Sequence, residues 1–289
     1  MTEQTSQRAY AKINIGLDVL RRRNDGYHEV RMIMQTVDIY DDLLFEKTKQ
    51  PGIVLKTDHE ELPIDGDNLV CKAAALLFRE KGINEGVKIT LTKRIPIAAG
   101  MAGGSSDAAA AMRGLNELFQ MGYSTKELQE LGVKLGADIP YCIVGGTMLS
   151  EGIGEILTPL PAPPDCFLVV AKPDINVSTG FVYGNLRVDM LTEHPDIDGM
   201  IEALNIGSLK GITDRLGNVL ETVTTKEYPV IEELKALLCN RGAQNALMSG
   251  SGPTVFGIFT DRSLAEAAAK EVRERGFAKQ VYVTVFCGD

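Results

Sequence analysis

The feature that most constrains this chain is a run of small residues from Pro96 to Asp107, P-I-A-A-G-M-A-G-G-S-S-D, which leads straight into an alanine-rich stretch. Glycine and alanine let the backbone curl closely around a ligand, and the spacing predicts a helix from about Ser105 to Phe119. The first N–H groups of such a helix are unpaired, and its dipole is positive at that end. The run therefore predicts a phosphate-binding loop.

This loop differs from the two commonest phosphate-binding motifs. It contains neither G-x-x-x-x-G-K-S/T, in which a lysine reaches the phosphates, nor G-x-G-x-x-G after a buried parallel strand. The alternative is a loop that merely turns the chain into a helix. The candidate nucleotide-binding residues are Pro96, Ile97, Ala98, Ala99, Gly100, Met101, Ala102, Gly103, Gly104, Ser105 and Ser106.

Composition places the chain among globular proteins. Of its 289 residues, 44% are apolar and 24% are charged, both near the usual averages. A net charge of −9 disfavours a nucleic-acid binder that relies on phosphate neutralisation. Because no apolar run approaches about 18 residues and the first eight residues lack the apolar core of a secretory signal, we expect a cytoplasmic protein.

The cysteines and histidines form no pattern typical of a metal site. The cysteines are Cys71, Cys142, Cys166, Cys239 and Cys287. They are scattered and contain no C-x-x-C pair, so they predict neither a disulfide framework nor a zinc site, and we expect reduced thiols. His59 and His194 have polar neighbours and are expected in solvent.

Hydrophobic periodicity outlines the elements of the first half of the chain. It predicts a strand over 9–20, a turn at 24–26 followed by a second apolar strand, a helix over 67–81 and a strand over 87–91. Ser124 and Glu127 have capping-box spacing, which predicts a helix to about Leu135 that stops at Gly136. Asp138 lies just beyond that stop.

Four prolines between residues 159 and 164 mark the predicted domain boundary, with an N-terminal domain over 1–160 and a C-terminal domain over 161–289. Beyond the boundary, the pattern predicts a strand over 167–171 and a mostly helical region over 196–242. A strand over 254–259, a helix over 263–275 and a strand over 280–286 complete the chain. Strands and helices mix without strict alternation, so both domains are predicted to be α+β.

Five motifs together resemble one enzyme family. The run over 96–107 is similar to the signature loop of the GHMP kinases, named for galactokinase, homoserine kinase, mevalonate kinase and phosphomevalonate kinase. The other motifs are A-K-I-N at 11–14, D-G-Y-H at 25–28, G-A-D-I-P at 136–140 and S-G-S-G-P at 249–253. Their order and spacing resemble the branch that phosphorylates a cytidine-diphosphate-linked methylerythritol in the non-mevalonate route to isoprenoid precursors. The resemblance covers residues 10 to 259.

The resemblance implies a two-domain α+β kinase with its active site in the cleft between the domains. ATP would be the phosphate donor, and Mg²⁺ would be held chiefly by the ATP phosphates. The partners would be small molecules, with no nucleic acid, membrane or obligate protein partner. One departure is alanine at positions 98, 99 and 102, where many relatives have glycine, so the loop has less room for phosphates.

The resemblance implies catalytic roles for Lys12 and Asp138. Phosphoryl transfer needs an in-line nucleophile, neutralisation of charge on the transferred group and an acceptor for the hydroxyl proton. Lys12 and Asp138 could supply the last two. Because a neighbouring lysine favours the carboxylate, Asp138 is expected to orient the hydroxyl and take its proton late. Alone, they would be a solvated strand lysine and a turn aspartate.

The resemblance also implies a set of substrate contacts, namely Asn14, Tyr27, His28, Tyr183, Gly250 and Ser251. Tyr27 would stack on the cytosine ring and His28 would hydrogen-bond its polar edge. Tyr183, in preference to Phe181, would close the stack from the other side. Asn14 would position the erythritol moiety, and the second glycine-rich loop would lie near the substrate phosphates.

Three other functions compete with this interpretation. The first is another GHMP kinase, acting on homoserine or a mevalonate-like alcohol, but an aliphatic substrate gives Tyr27 nothing to stack on. The second is a catalytically silent nucleotide-binding relative, against which the presence of both Lys12 and Asp138 argues. The third is an RNA-binding module, which the charge of −9 disfavours.

Overall fold

The computed structural model describes residues 3–288. Its strands are β1 (Gln4–Arg22), β2 (His28–Thr48), β3 (Gly52–Thr57), β4 (Gly86–Thr92), β5 (Thr147–Gly152), β6 (Ile156–Pro159), β7 (Phe167–Lys172), β8 (Gly217–Asn218), β9 (Asn245–Met248), β10 (Val255–Phe259) and β11 (Gln280–Thr284). Its helices are α1 (Leu69–Lys81), α2 (Gly103–Leu118), α3 (Thr125–Gly132), α4 (Ile139–Val144), α5 (Thr179–Asn185), α6 (Ile197–Asn205), α7 (Leu209–Thr213), α8 (Glu221–Glu227), α9 (Val230–Asn240) and α10 (Arg262–Glu274). Strands and helices are mixed, so the α+β prediction is confirmed.

The chain divides into two compact units. The first comprises Met1–Ala11, Ile39–Ile97 and Ala102–Val144, and the second comprises Lys12–Asp38, Ala98–Met101 and Gly145–Asp289. β1 and β2 therefore contribute residues to both units. The predicted boundary between residues 160 and 161 stays a prediction.

The first unit buries helices against sheet strands. β4 pairs antiparallel with the second half of β2 and parallel with β3. Small residues let α1 and α2 approach closely, and Ala108 to Ala111 on α2 are fully buried in this core. At Gly114 the close packing leaves no room for a side chain, because a Cβ there would lie 2.5 Å from the ring of Phe45.

The second unit contains an antiparallel four-stranded sheet in the order β11-β7-β10-β9. β9 and β10 form a hairpin in which Met248 pairs with Val255, so the second glycine-rich run lies at the turn of the hairpin. In the same unit, β5 pairs with the first half of β2. β8 pairs parallel with β1 at Gly16 and Leu17, two and three residues beyond Asn14.

The local signals for helix ends were largely correct. Asn68 caps α1, Gly82 ends it in the left-handed conformation, and Ser124 and Glu127 form the expected capping box. The predicted extension of the next helix to Leu135 is wrong. There the N–H groups of Lys134 and Leu135 donate to carbonyls three residues earlier, a tighter turn than an α-helix allows. α2 begins at Gly103, two residues before the predicted start. Within residues 3–288, no helix is long and apolar enough to cross a membrane.

The packing at Gly114 predicts opposite effects for two glycine-to-alanine changes. Gly114→Ala should lower the free energy of unfolding by about 1–3 kcal/mol, because its methyl group overpacks against the buried Phe45. Gly184→Ala is the control, since nothing lies within 4 Å of a Cβ there and alanine favours a helix by up to about 1 kcal/mol. Urea unfolding of both variants measures the difference. Equal stabilities would contradict the packing argument.

Candidate active site

Lys12 is a buried cation without a buried anion beside it. It lies on β1, and the residue is only 5% exposed to solvent. Its Nζ donates a hydrogen bond to Asn14 Oδ1 at 2.6 Å, and Asn14 Nδ2 donates to Met32 Sδ. Among residues 3–288, no carboxylate lies within 4.0 Å of Lys12 Nζ. Because an uncompensated buried charge is costly, this ammonium is suited to an anionic ligand.

Asn14 has a clear structural role beside that ammonium. It is fully buried, and its side chain orients Lys12. Its predicted contact with the erythritol moiety stays a prediction.

The predicted phosphate loop has an unusual backbone. Ala98, Gly100 and Ala102 all have positive φ, at 50°, 70° and 57°. This conformation costs an alanine roughly 1–2 kcal/mol. At position 100 only glycine fits, because a Cβ would lie 2.3 Å from the carbonyl oxygen of Ser249.

The N-terminus of α2 offers free donors. Ala102 caps the helix without a side-chain hydrogen bond, and the first helical bond runs from Ser106 N to Ala102 O at 2.8 Å. Within the described chain, the N–H groups of Gly103, Gly104 and Ser105 have no hydrogen-bond acceptor. These three donors and the helix dipole form an anion-binding arrangement.

The eleven predicted loop residues do not all present side chains to a ligand. Ala99 and Met101 are buried in the protein, so a ligand could meet only their backbone. The Ser106 hydroxyl is also used internally, since it donates to Tyr10 O at 2.7 Å and lies 3.3 Å from Cys142 Sγ. Its place among the ATP contacts stays a prediction.

The second glycine-rich loop contacts the first one inside the second unit. Ser249 Oγ donates to Gly100 O at 3.0 Å, and Gly250 adopts a positive φ of 56°. The Ser251 hydroxyl is buried and lies 2.9 Å from Thr179 Oγ1. The two loops therefore support each other's backbone, and Gly250 and Ser251 stay predicted substrate contacts.

Sequence analysis missed the residue that holds this second loop. Asn218 Nδ2 donates to the carbonyls of Met248 and Gly250, each at 2.8 Å, and its Oδ1 accepts from Leu220 N. The contact joins residues about thirty positions apart, and a single asparagine after a glycine gives no local signal beyond a turn.

The three predicted cytosine contacts lie in the second unit. Tyr27 follows the turn at Gly26 and is 58% exposed, so its ring face is open to a ligand. The rings of His28 and Tyr183 lie with their centroids 5.2 Å apart. Burial, with a smaller effect from the charge of Arg22, lowers the pKa of His28, which favours a neutral imidazole. Phe181 on the same helix is 44% exposed.

Asp138 immediately precedes α4 in the first unit, and its main-chain carbonyl accepts from Cys142 N at 3.0 Å. Its side chain is half-buried, and no described residue donates a hydrogen bond to the carboxylate or forms an ion pair with it. The half-buried Arg113 holds the other end of α4 by donating to the carbonyls of Cys142 and Ile143. Asp138 therefore presents a carboxyl group without a described partner beside a helix that Arg113 holds.

Sequence analysis also missed a buried charged triad, Asp41, Lys93 and Asp107, in the first unit. Lys93 Nζ lies 2.7 Å from Asp107 Oδ2 and also donates to Asp41 Oδ2. Burial raises the pKa of the Asp107 carboxyl to about 8, because the single ammonium is shared with Asp41 and offsets only one negative charge. Asp107 Oδ1 has no hydrogen-bond partner among the described residues.

Of the two histidines expected in solvent, His194 is exposed and His59 is half-buried. His194 Nδ1 lies 2.8 Å from Asp18 Oδ1, and His59 Nδ1 is unpartnered among the described residues. The described residues contain no group of three or more His, Cys, Asp or Glu side chains able to hold a metal ion.

The Asp107 carboxyl predicts a pH dependence of stability. Its pKa rises from the ordinary 3.8 to about 8 on folding, so the folded protein keeps a proton that the unfolded chain releases. This contribution is full below a pH of about 4 and is lost as the pH rises to about 8. The free energy of unfolding of the wild type should fall, relative to Asp107→Asn, by about 1 kcal/mol per pH unit in that window. Urea unfolding of both proteins at several pH values measures it, and a pH-independent difference would refute it.

Comparison with known proteins gives concordant matches in sequence. The model of the GHMP kinases N terminal domain matches residues 68–146, and that of the GHMP kinases C terminal domain matches residues 193–278. A 4-diphosphocytidyl-2-C-methyl-D-erythritol kinase from Lachnoclostridium phytofermentans is 52% identical over 97% of both chains. One of the same name from Caldicellulosiruptor saccharolyticus is 48% identical over 97% of this chain and 96% of its own.

Solved structures agree with these matches. The crystal structure of a 4-(cytidine 5'-diphospho)-2C-methyl-D-erythritol kinase is 32% identical and superposes with a TM-score of 0.84, covering 99% of this chain and 100% of that one. A mevalonate kinase from L. major in complex with R-mevalonate has a TM-score of 0.78 at 18% identity, covering 100% of this chain and 98% of its own. At that identity the likeness concerns the fold alone.

Proposed function

This chain belongs to the family of 4-diphosphocytidyl-2-C-methyl-D-erythritol kinases, and on that premise we propose that it transfers the γ-phosphate of ATP to the 2-hydroxyl of 4-diphosphocytidyl-2-C-methyl-D-erythritol. It is an ATP-dependent small-molecule kinase of the GHMP type. The proposal extends to the acceptor hydroxyl, the catalytic residues and the place of the reaction in the non-mevalonate route to isoprenoid precursors.

The observation that carries the proposal is the Lys12 ammonium. It is buried, it is oriented by Asn14, and no described carboxylate lies within ion-pair distance. The buried Lys93 ammonium, in contrast, is paired with Asp41 and Asp107. An unpaired cation here is suited to the negative charge of a phosphoryl group in transfer.

We assign Lys12 and Asp138 complementary roles on one hydroxyl. The hydroxyl oxygen forms a bond to the γ-phosphorus while the bond from that phosphorus to the bridging oxygen of ATP breaks. The hydroxyl proton passes to the Asp138 carboxylate, which has no described partner to compete for it. Lys12 offsets the charge on the transferred group. Because a loose transition state needs little help in ionising the nucleophile, Asp138 acts mainly by orienting the hydroxyl.

The ATP phosphates would lie at the start of α2. The free N–H groups of Gly103, Gly104 and Ser105 supply the donors, as expected of the run over 96–106. Mg²⁺ would be carried chiefly by the phosphates, because it keeps several waters and commonly takes only one or two protein carboxylates.

The cytidine end of the substrate would be recognised by aromatic stacking and hydrogen bonds. Tyr27 offers an exposed ring, and the pair formed by His28 and Tyr183 offers a second aromatic surface in the same unit. A neutral His28 has one ring nitrogen that donates and one that accepts, so it can bind the polar edge of cytosine. A homoserine or mevalonate substrate would leave these groups without a ligand.

Replacement of the proposed proton acceptor tests the catalytic assignment. Asp138→Asn should lower kcat at least ~100-fold, because the amide cannot accept the proton, while ATP affinity stays nearly unchanged. ADP release with and without the cytidine substrate measures turnover. Asp174→Asn removes the same charge from an exposed ion pair with Lys279 and should behave as the wild type. Near-normal turnover of Asp138→Asn would remove this residue from the mechanism.

Removal of the exposed ring tests the cytosine assignment. Tyr27→Ala should weaken binding of the cytidine substrate by ~1–3 kcal/mol and leave ATP affinity unchanged, because only a base stacks on this ring. Tyr27→Phe keeps the aromatic face and serves as the control. Calorimetric titration of both ligands gives the affinities. Equal losses for the two ligands would mean that Tyr27 is structural.

A further inference from the structure

The charged triad connects the two ends of the predicted ATP loop: Asp107 is the last residue of the run over 96–107, and Lys93 and Asp41 lie outside it. Lys93 lies three residues before Pro96, and Asp107 lies on the second turn of α2, just after the free N–H groups. The Lys93 ammonium bridges them through Asp107 Oδ2 at 2.7 Å. One side chain therefore fixes the distance between the segment that enters the loop and the helix that leaves it.

Asp41 adds a second attachment for the entering segment. Its Oδ1 accepts hydrogen bonds from the backbone N–H groups of Arg94 and Ile95, the latter at 2.8 Å. Its Oδ2 accepts from Lys93 Nζ. Asp41 belongs to β2, so the strand, the entering segment and α2 are joined through three side chains that are each at most 5% exposed.

Stability alone does not account for such a cluster. Three ionisable groups removed from water carry a large desolvation cost, and an apolar cluster of similar volume is often at least as stable. Between the segment that Asp41 and Lys93 bind and α2, the loop contains Ala98 and Ala102, whose backbone dihedral angles lie in the left-handed region. Such strained backbone persists only where its surroundings over-determine it.

We propose that Asp41, Lys93 and Asp107 are positioning residues for ATP: they set the geometry of the loop over 96–104 so that its N–H groups meet the phosphates. The inference rests on the proposed function, because it takes ATP to be the ligand of that loop. It assigns the triad no part in binding the cytidine substrate, whose predicted contacts lie elsewhere in the chain.

Removal of one attachment tests the inference. Asp107→Ala should raise the KM for ATP and the Kd for a non-hydrolysable ATP analogue on the order of tenfold or more, because misplaced donors bind phosphate poorly. The KM for the cytidine substrate and the kcat at saturating ATP should stay within about threefold of the wild type. Asp107→Asn keeps an oxygen for Lys93 and should restore most of the ATP affinity. The control, Lys88→Met, breaks the more exposed pair with Glu46 on β2 and should change nothing.

Several results would overturn the inference. One is an Asp107→Ala protein that binds the ATP analogue as the wild type does, and another is one that loses both ligands equally. If Asp107→Ala does not fold, Lys93→Gln carries the same expectation, and unchanged ATP affinity in that variant would refute the triad's role. Failure of the wild type to phosphorylate or bind the cytidine substrate would refute the proposed function instead. Binding of the ATP analogue would then still measure the effect of the triad on ATP affinity.

Discussion

Two buried lysines, Lys93 and Lys12, differ in whether neighbouring carboxylates compensate their charge. Lys93 is surrounded by two carboxylates, and its pKa is raised because they outweigh the effect of its burial. Lys12 is as deeply buried, but a neutral amide is its only described side-chain partner. The first arrangement is complete without a ligand. The second leaves a positive charge that a phosphoryl group would balance, so the proposed chemistry depends on it.

Close approach of backbone is the second constraint on the proposed site. Gly100 and the loop after β9 come so near that no side chain fits at position 100. The same closeness lets Ser249 bind the Gly100 carbonyl, and Asn218 then holds the carbonyls on both sides of that second loop. Small residues therefore serve two purposes here: they leave backbone N–H groups accessible, and they let one loop support the other.

Local sequence signals predicted the elements well where one physical cause dominates. The alternating pattern of β1, the capping box of α3 and the left-handed Gly82 after α1 each depend on neighbours within a few residues. The predicted end of α3 was wrong: Lys134 and Leu135 donate to carbonyls three residues earlier, and Gly132 lies so close to Ile139 that a Cβ there would be 2.7 Å from its side chain. Nothing near Gly132 in the sequence indicates that contact.

The sequence alone determined the loop, its helix and the family, because these are written in consecutive small residues and in short motifs of fixed spacing. It also supplied Lys12 and Asp138 as candidates. Only the tertiary structure decided that Lys12 is buried without an anion, that the Ser106 hydroxyl is turned toward Tyr10, and that Asp41, Lys93 and Asp107 form one cluster. Burial and pairing of charge depend on residues far apart in the chain, and only folding brings those residues together.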